Sequence, residues 1–358
     1  MIALAACGSS TASQFTSTST QPPSTSASAA AGTSASAPAT LGRTSTTSAV
    51  TSSPPTEPAT ARSPAAAFVR TDQELLTVAP AGGVVQRTAL PLVAGGDASR
   101  SLLALKGGVI VVDGSDDDGR FVPDGDAARI LQTSVRGNRG VWPSAEPTHF
   151  WAAFSDQPSG LSDVRHLDLT GKPSGTIIDS MGERLSVWGF DGEGWPATVD
   201  DGSVWSTRPN GRHGVAKGNP LATGNGRYLM ASCSGSTCLA TVVNHTDRGT
   251  RTVPAELPDS HAAAGAIAPD GSFAIVGFGN APDAEAWLVD LTTGATTDLG
   301  PLGAGPNVIA WSTDSHYGYL VTATHELLVL DRDVGYAARS VDLGGASVLA
   351  VATPPVVP

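Results

Sequence analysis

The sequence predicts an all-β protein built from repeated four-stranded units behind a disordered N-terminal segment. The composition changes sharply near residue 65, and all seven Trp lie beyond that point. There, short runs rich in Val, Leu, Ile, Trp and Thr alternate with Gly, Asp, Asn and Pro, which is the pattern of strands and turns. No apolar run of about 18 residues and no sustained helical period follows, so we expect little helix.

Residues 1–7 form a short apolar run that ends in Leu4-Ala5-Ala6-Cys7. This run resembles a bacterial lipobox, which implies cleavage before Cys7 and acylation of its thiol, with chains such as palmitate, as the membrane anchor. No Lys or Arg precedes the run, and its six residues are fewer than the ~7–15 of a signal-peptide core. We therefore expect 1–7 to be a truncated signal peptide whose true start lies upstream. The alternative is a cytosolic protein with a fortuitous Ala-rich N-terminus.

Residues 8–64 predict a disordered linker rich in Ser, Thr, Pro and Ala. They contain 28 Ser or Thr and seven Pro, but only three charged side chains and one aromatic residue. Such a stretch cannot bury enough apolar surface to offset backbone ordering, which costs about 1–2 kcal/mol per residue. The composition suits O-glycosylation and equally suits an unmodified spacer. Residues 65–358 are the predicted folded domain.

Cys233 and Cys238 flank a Ser-Gly-Ser-Thr turn between two strand-like runs. We predict a disulfide that joins them across a β-hairpin, because such bonds are typical of exported proteins. The anchor then explains the odd third cysteine. Alternatively, the two cysteines could form a redox pair or supply half of a metal site. A C-x4-C spacing without a second Cys/His pair is, however, a weak indication of zinc binding.

The last two units show the repeat most clearly. Residues 266–276 align with 310–320, each as a strand, an Asp-centred turn and a strand. Residues 287–294 align with 328–335, each as a strand that ends in an Asp-x-x-x-Gly turn. Each unit then closes on Asp-Leu-Gly, at 298–300 and at 342–344. These matching ends lie 44 residues apart, close to the ~40–45 of a four-stranded propeller blade. The sequence therefore predicts a single β-propeller.

Seven blades are predicted, with six or eight left open. Residues 347–352 lie beyond the last unit and are predicted to return to the first blade, which would close the ring and protect its strand edges. The predicted blades span residues 68–92, 100–133, 140–180, 184–217, 220–257, 262–300 and 306–344.

These repeats resemble WD40-like propellers of the bacterial YVTN and TolB type, whose blades carry a Ser-Pro-Asp-Gly-like turn and an Asp-x-x-x-Gly turn. The match is strongest over 262–344, while the Gly-His start and Trp-Asp ending of eukaryotic WD40 blades are absent. With its lipobox, the chain resembles a bacterial lipoprotein of actinobacterial type. High Ala, Gly and Thr with only three Lys is typical of a GC-rich genome.

The densest group of carboxylates lies between Asp113 and Asp126. Calcium takes six to eight oxygen ligands, but the EF-hand pattern fails because Asp118 stands where Gly is required. We interpret this group as a solvated hairpin tip, since Asp is common in turns.

No catalytic, cofactor-binding or metal-binding residue is predicted. Seven His are scattered, and no nucleophile elbow or phosphate-binding loop occurs. Five recurring Asp are predicted to cap turns by accepting hydrogen bonds from N–H groups two residues on: Asp168, Asp270, Asp290, Asp314 and Asp331. Five Trp in the middle blades are interpreted as core filling, with ligand stacking as the alternative: Trp142, Trp151, Trp188, Trp195 and Trp205.

The net charge of −12 is spread along the chain, and the basic patch that nucleic-acid binding requires is absent from the sequence. We therefore predict a lipid-anchored propeller on the extracytoplasmic face of the cell membrane, acting as a binding or scaffold module for an envelope protein or glycan. The alternative is an extracytoplasmic lyase or glycosidase, which would need several polar side chains converging at one end of the central funnel.

Overall fold

The computed structural model describes residues 66–354, apart from 81, 91–99, 114–118, 125–126, 132–140, 155–161, 182–185, 192, 201, 235–236, 245–248, 258–261, 280–282 and 306. Cys7 and the predicted linker lie outside these residues. The described chain forms 28 strands and one short 3₁₀ turn, η1 (Arg332–Val334). None of its described segments is a helix of the length and apolarity needed to cross a membrane.

The strands form seven four-stranded blades, as predicted. Blade 1 contains β1 (Ala67–Thr71), β2 (Glu74–Val78) and β3 (Val84–Ala89), with its fourth strand, β28 (Val348–Ala352), from the C-terminal end. Blade 2 contains β4 (Arg100–Leu105), β5 (Gly108–Asp113), β6 (Arg120–Pro123) and β7 (Arg129–Ile130). Blade 3 contains β8 (Val141–Pro143), β9 (His149–Phe154), β10 (Ser162–Asp168) and β11 (Pro173–Met181). Blade 4 contains β12 (Ser186–Phe190), β13 (Pro196–Asp200), β14 (Ser203–Arg208) and β15 (Gly211–Lys217).

The other three blades follow the same antiparallel order. Blade 5 contains β16 (Asn219–Gly224), β17 (Arg227–Ser234), β18 (Thr237–Asn244) and β19 (Thr250–Leu257). Blade 6 contains β20 (Ala262–Ile267), β21 (Phe273–Phe278), β22 (Glu285–Asp290) and β23 (Thr296–Pro301). Blade 7 contains β24 (Ile309–Trp311), β25 (Tyr317–Val321), β26 (Leu327–Asp331) and β27 (Ala337–Ser340).

The ring closes through β28, as the sequence predicted. This strand pairs antiparallel with β1, with Val69 opposite Val351, and takes the innermost place in blade 1. The innermost strands β4, β8, β12, β16, β20, β24 and β28 contact one another in succession and lead back to β4. A blade completed from both ends of the domain holds the ring shut, because opening it would break a strand pair.

The core lies in layers between neighbouring blades. Apolar clusters join blades 1 and 2, blades 2 and 3, blades 4 and 5, and blades 5 and 6, while a larger cluster joins blades 6, 7 and 1. Some strands between two layers are buried on both faces; β5, for example, is buried throughout Gly108–Asp113. This burial explains the near-continuous apolar runs that follow residue 65 in the sequence.

The five recurring Asp cap turns in the predicted way. Each carboxylate accepts a hydrogen bond from the backbone N–H two residues on, at 2.7–3.0 Å: Asp168 from Thr170, Asp270 from Ser272, Asp290 from Thr292, Asp314 from His316, and Asp331 from Asp333. These hydrogen bonds depress the pKa of Asp168, Asp270 and Asp290 against the opposing effect of burial.

The hairpin tip predicted around Asp113 needs a correction. Asp113 is 1% exposed and forms a bidentate ion pair with Arg70, which is also buried, at 2.6 and 3.1 Å. Arg120 adds a third contact at 3.0 Å. Asp113 therefore ties blade 1 to blade 2, whereas Asp124 is exposed as expected. Residues 114–118 lie outside the described chain.

Cys233 and Cys238 are joined by a disulfide, as predicted. They are direct cross-strand neighbours in the β17–β18 hairpin of blade 5. Cys238 is fully buried in the layer between blades 5 and 6, so the bond fixes the end of the hairpin against the core.

The disulfide gives a measurable stability prediction. The Cys233→Ala/Cys238→Ala double variant should unfold with a free energy about 2 kcal/mol lower than the parent, since a cross-link of six residues restricts the unfolded chain only modestly. Urea unfolding measures the difference. Dithiothreitol should reduce the parent to the same value and leave the double variant unchanged; an effect of reductant on the double variant would contradict this assignment.

Candidate functional site

The central channel opens at one end into a pocket of about 320 Å³, called here the mouth pocket. All seven blades contribute to its wall, which places it on the propeller axis. It lies where the innermost strands end. Its lining residues are Leu103, Ala104, Pro143, Ser144, Ala145, Pro147, Gly194, Thr223, Gly224, Asn225, Ala266, Ile267, Pro269, Trp311, Thr353 and Pro354.

The wall of the mouth pocket is mainly apolar and carries a few neutral polar groups. Two of its hydroxyls are engaged within the protein: Ser144 bonds to backbone groups of Glu146, and Thr353 donates to the Trp311 carbonyl at 2.5 Å. Thr223 and Asn225 supply the other polar side chains of the lining. An apolar recess with few polar groups suits the capture of an apolar or amphipathic ligand group.

Blades 5 and 6 meet directly beside this pocket. The pair Thr223/Ala266 joins β16 and β20 in parallel, so the two blades share a continuous sheet. A Cβ on Gly224 would overlap the Ile267 carbonyl oxygen, and one on Gly265 would overlap that of Leu221. The absence of side chains at both glycines lets the two backbones approach and fixes one side of the pocket.

A cluster of aromatic rings in blades 3 and 4 supports another part of the wall. Trp151 is 3% exposed, its Nε1 donates to the Gly194 carbonyl at 2.8 Å, and its ring lies 4.6 Å from that of His166. His149 stacks on His166 at 5.0 Å, and Trp195 lies 5.8 Å from Trp151. Trp151 is one of the five Trp that were predicted to fill the core, and its burial confirms that prediction for this residue.

His166 makes this wall sensitive to acid. Burial chiefly, and the nearby His149 ring, lower the pKa of His166, against an opposing effect of Glu146. The unfolded chain takes up a proton near pH 6.5, whereas folded His166 does so only at lower pH. Stability from this residue is thus complete above about pH 6.5 and falls as the pH drops below it. Urea midpoints from pH 8 to pH 5 should show this fall, and His166→Gln should flatten it; equal slopes would contradict the assignment.

A lyase or glycosidase site would need several polar side chains that converge at one end of the channel. The mouth pocket does not provide them. Its described lining contains no carboxylate, imidazole or ammonium group that could exchange a proton with a substrate. At the mouth pocket, the described lining therefore favours binding over acid–base chemistry.

The sequence-predicted residues lie apart from this pocket. The Cys233–Cys238 bond sits at the far end of β17, which starts beside the pocket at Arg227. The prediction of Cys7 as the lipid anchor falls outside the described residues. The pocket itself gave no motif in the sequence, because its lining is collected from seven blades.

Comparisons with known proteins agree with the fold. No family model matches the chain, and no curated protein does. Among solved structures, a functionally unknown protein from Desulfotomaculum acetoxidans is 11% identical, covering 81% of this chain and 99% of its own, with a TM-score of 0.53. Apo AztD from Citrobacter koseri is 12% identical, covering 80% and 97%, with a TM-score of 0.51. TolB from Acinetobacter baumannii is 12% identical, covering 80% and 82%, with a TM-score of 0.46. At such identities the first two likenesses show the β-propeller fold alone.

Proposed function

We propose that this chain is a lipid-anchored, extracytoplasmic binding module, which captures an envelope protein or glycan at the mouth pocket of its propeller. The mouth pocket carries the proposal: it is recessed, mainly apolar, and walled by all seven blades. A rigid ring holds such a recess open without ligand, so that little ordering is required on binding. The neutral lining supports recognition by shape, apolar contact and a few hydrogen bonds.

Residues 1–64 support the location. The lipobox at Cys7 would hold the chain at the membrane, and the 8–64 linker would let the propeller reach partners in the envelope. The Cys233–Cys238 disulfide is consistent with an oxidising compartment outside the cytoplasm. The composition supports an actinobacterial source for this lipoprotein.

Blocking the pocket tests the binding proposal. The full chain carrying Cys7→Ser is immobilised and exposed to solubilised envelope proteins and, separately, to envelope glycans. We expect the unblocked chain to retain at least one component that Thr223→Trp and Ala145→Trp retain about tenfold less. Ala145 is exposed, so its replacement should leave folding intact even if Trp at Thr223 does not.

The matched control is Val85→Trp, which places the same side chain on an outer strand at a site that is 69% exposed. Val85→Trp should retain the same envelope component to the same extent as the unblocked chain. Retention of nothing, or equal retention by both blocked variants and the control, would overturn binding at the mouth pocket.

A further inference from the structure

Blade 7 brings three potential metal ligands together on two adjacent turns. His316 lies in the turn between β24 and β25, and Asp331 and Asp333 lie at the turn that follows β26. His316 Nε2 is 3.4 Å from Asp331 Oδ1 and 3.3 Å from Asp333 Oδ2, and the ligand atoms all lie within 4.8 Å of one another. We propose that these three residues bind a divalent transition-metal ion such as Zn²⁺.

The distances fit coordination better than direct hydrogen bonding. An N–H···O bond between these atoms would be about 2.7–3.2 Å long, shorter than either separation. In a tetrahedral zinc site, ligand atoms about 2.0–2.2 Å from the metal lie about 3.4 Å from each other. The distances from His316 Nε2 to the two carboxylate oxygens match this ligand–ligand distance. The 79% exposed Asp333 side chain has room to bring its oxygen closer to Asp331.

Blade 6 shows that the fold does not require these side chains. At the equivalent positions it has Ser272, Asp290 and Thr292, in place of His316, Asp331 and Asp333. The backbone bonds are nevertheless the same: Leu291 N–H donates to the Ser272 carbonyl at 2.9 Å, as Arg332 N–H donates to that of His316 at 3.0 Å. The turn-capping Asp is thus structural in both blades, while His316 and Asp333 add ligand atoms that blade 6 lacks.

The surroundings orient the ligands. Asp331 accepts the Asp333 N–H at 2.9 Å, and the His316 ring lies 4.7 Å from the Tyr317 ring. Two carboxylates and a neutral imidazole balance the charge of a divalent ion. The nitrogen ligand and the small number of oxygens favour a transition metal over calcium, which takes six to eight oxygens. A fourth position would remain open to water or to a donor from a partner.

Equilibrium dialysis against Zn²⁺ tests the site in the full chain carrying Cys7→Ser, which removes the one thiol outside the disulfide. We expect one Zn²⁺ per chain, with affinity at least tenfold lower in His316→Ser and in Asp333→Thr. Both substitutions install the blade 6 residues and should fold. Asp342→Asn is the charge-matched control, because it removes a carboxylate from another turn of blade 7, and it should bind as the parent does.

Cobalt reports the geometry independently. Co²⁺ bound to the parent should give the intense visible absorption of tetrahedral coordination, and His316→Ser should abolish it. Equal zinc binding by the parent, His316→Ser and Asp333→Thr, or no retained zinc in the parent, would overturn the proposal.

Discussion

Replacing Arg70 with Met is expected to lower the free energy of unfolding by about 3–5 kcal/mol, because it leaves a buried carboxylate short of its main partner. Arg70 and Asp113 are each 1% exposed and form a bidentate pair between blades 1 and 2. After the substitution Asp113 keeps only its contact with Arg120 at 3.0 Å among the ion pairs seen here. Urea unfolding followed by Trp fluorescence measures the loss.

An exposed ion pair provides the control for Arg70. Arg87 lies 2.6 Å from Glu74, but the two side chains are 49% and 30% exposed. Water already solvates such a pair, so Arg87→Met should cost at most about 1 kcal/mol. Equal losses in the two variants would show that the Arg70–Asp113 pair does not join blades 1 and 2 in the way described.

Gly265→Ala is expected to destabilise the propeller by about 3 kcal/mol, since overpacking against backbone cannot be relieved by a rotamer change. The added Cβ would overlap the Leu221 carbonyl oxygen and approach Ala222, forcing β16 and β20 apart beside the mouth pocket. The measurement is again the urea midpoint. The same substitution should widen the spacing between blades 5 and 6.

Gly83→Ala is the matched control for this glycine. Gly83 lies between β2 and β3, and a Cβ there would meet no atom within 4 Å. Its substitution should leave stability within about 0.5 kcal/mol of the parent. If Gly265→Ala were equally mild, the close backbone approach between blades 5 and 6 would be wrong.

Much of the fold could be predicted from local chemistry. The Asp-centred turns recur because each carboxylate satisfies N–H groups of its own turn, so blades 6 and 7 share a readable 44-residue period. The return of residues 347–352 to blade 1 could be predicted because they form one more strand-like run after the last unit, and a propeller ring has to be closed. The cysteine pair was predictable since its two members flank a hairpin turn.

The functional features were harder to predict because they join residues distant in sequence. The mouth pocket combines short stretches from seven blades, none distinctive alone. Asp113 was misassigned because its partner Arg70 lies 43 positions away in another blade. His316 and the two Asp of the proposed metal site come from separate turns. A sequence signal for the site does exist. When blade 7 is aligned with blade 6, His316 and Asp333 stand where blade 6 has Ser272 and Thr292.

The proposed function depends most on where the propeller is held, because envelope partners are accessible only outside the cytoplasmic membrane. The direct measurement is the intact mass of the protein from the membrane fraction of cells that express the gene with its upstream region, beside Cys7→Ser. We expect the parent to begin at Cys7, to carry a diacylglyceryl adduct and to partition into detergent, while Cys7→Ser carries no lipid. A parent protein without lipid, recovered with the cytosol, would contradict the proposed anchor and extracytoplasmic binding role.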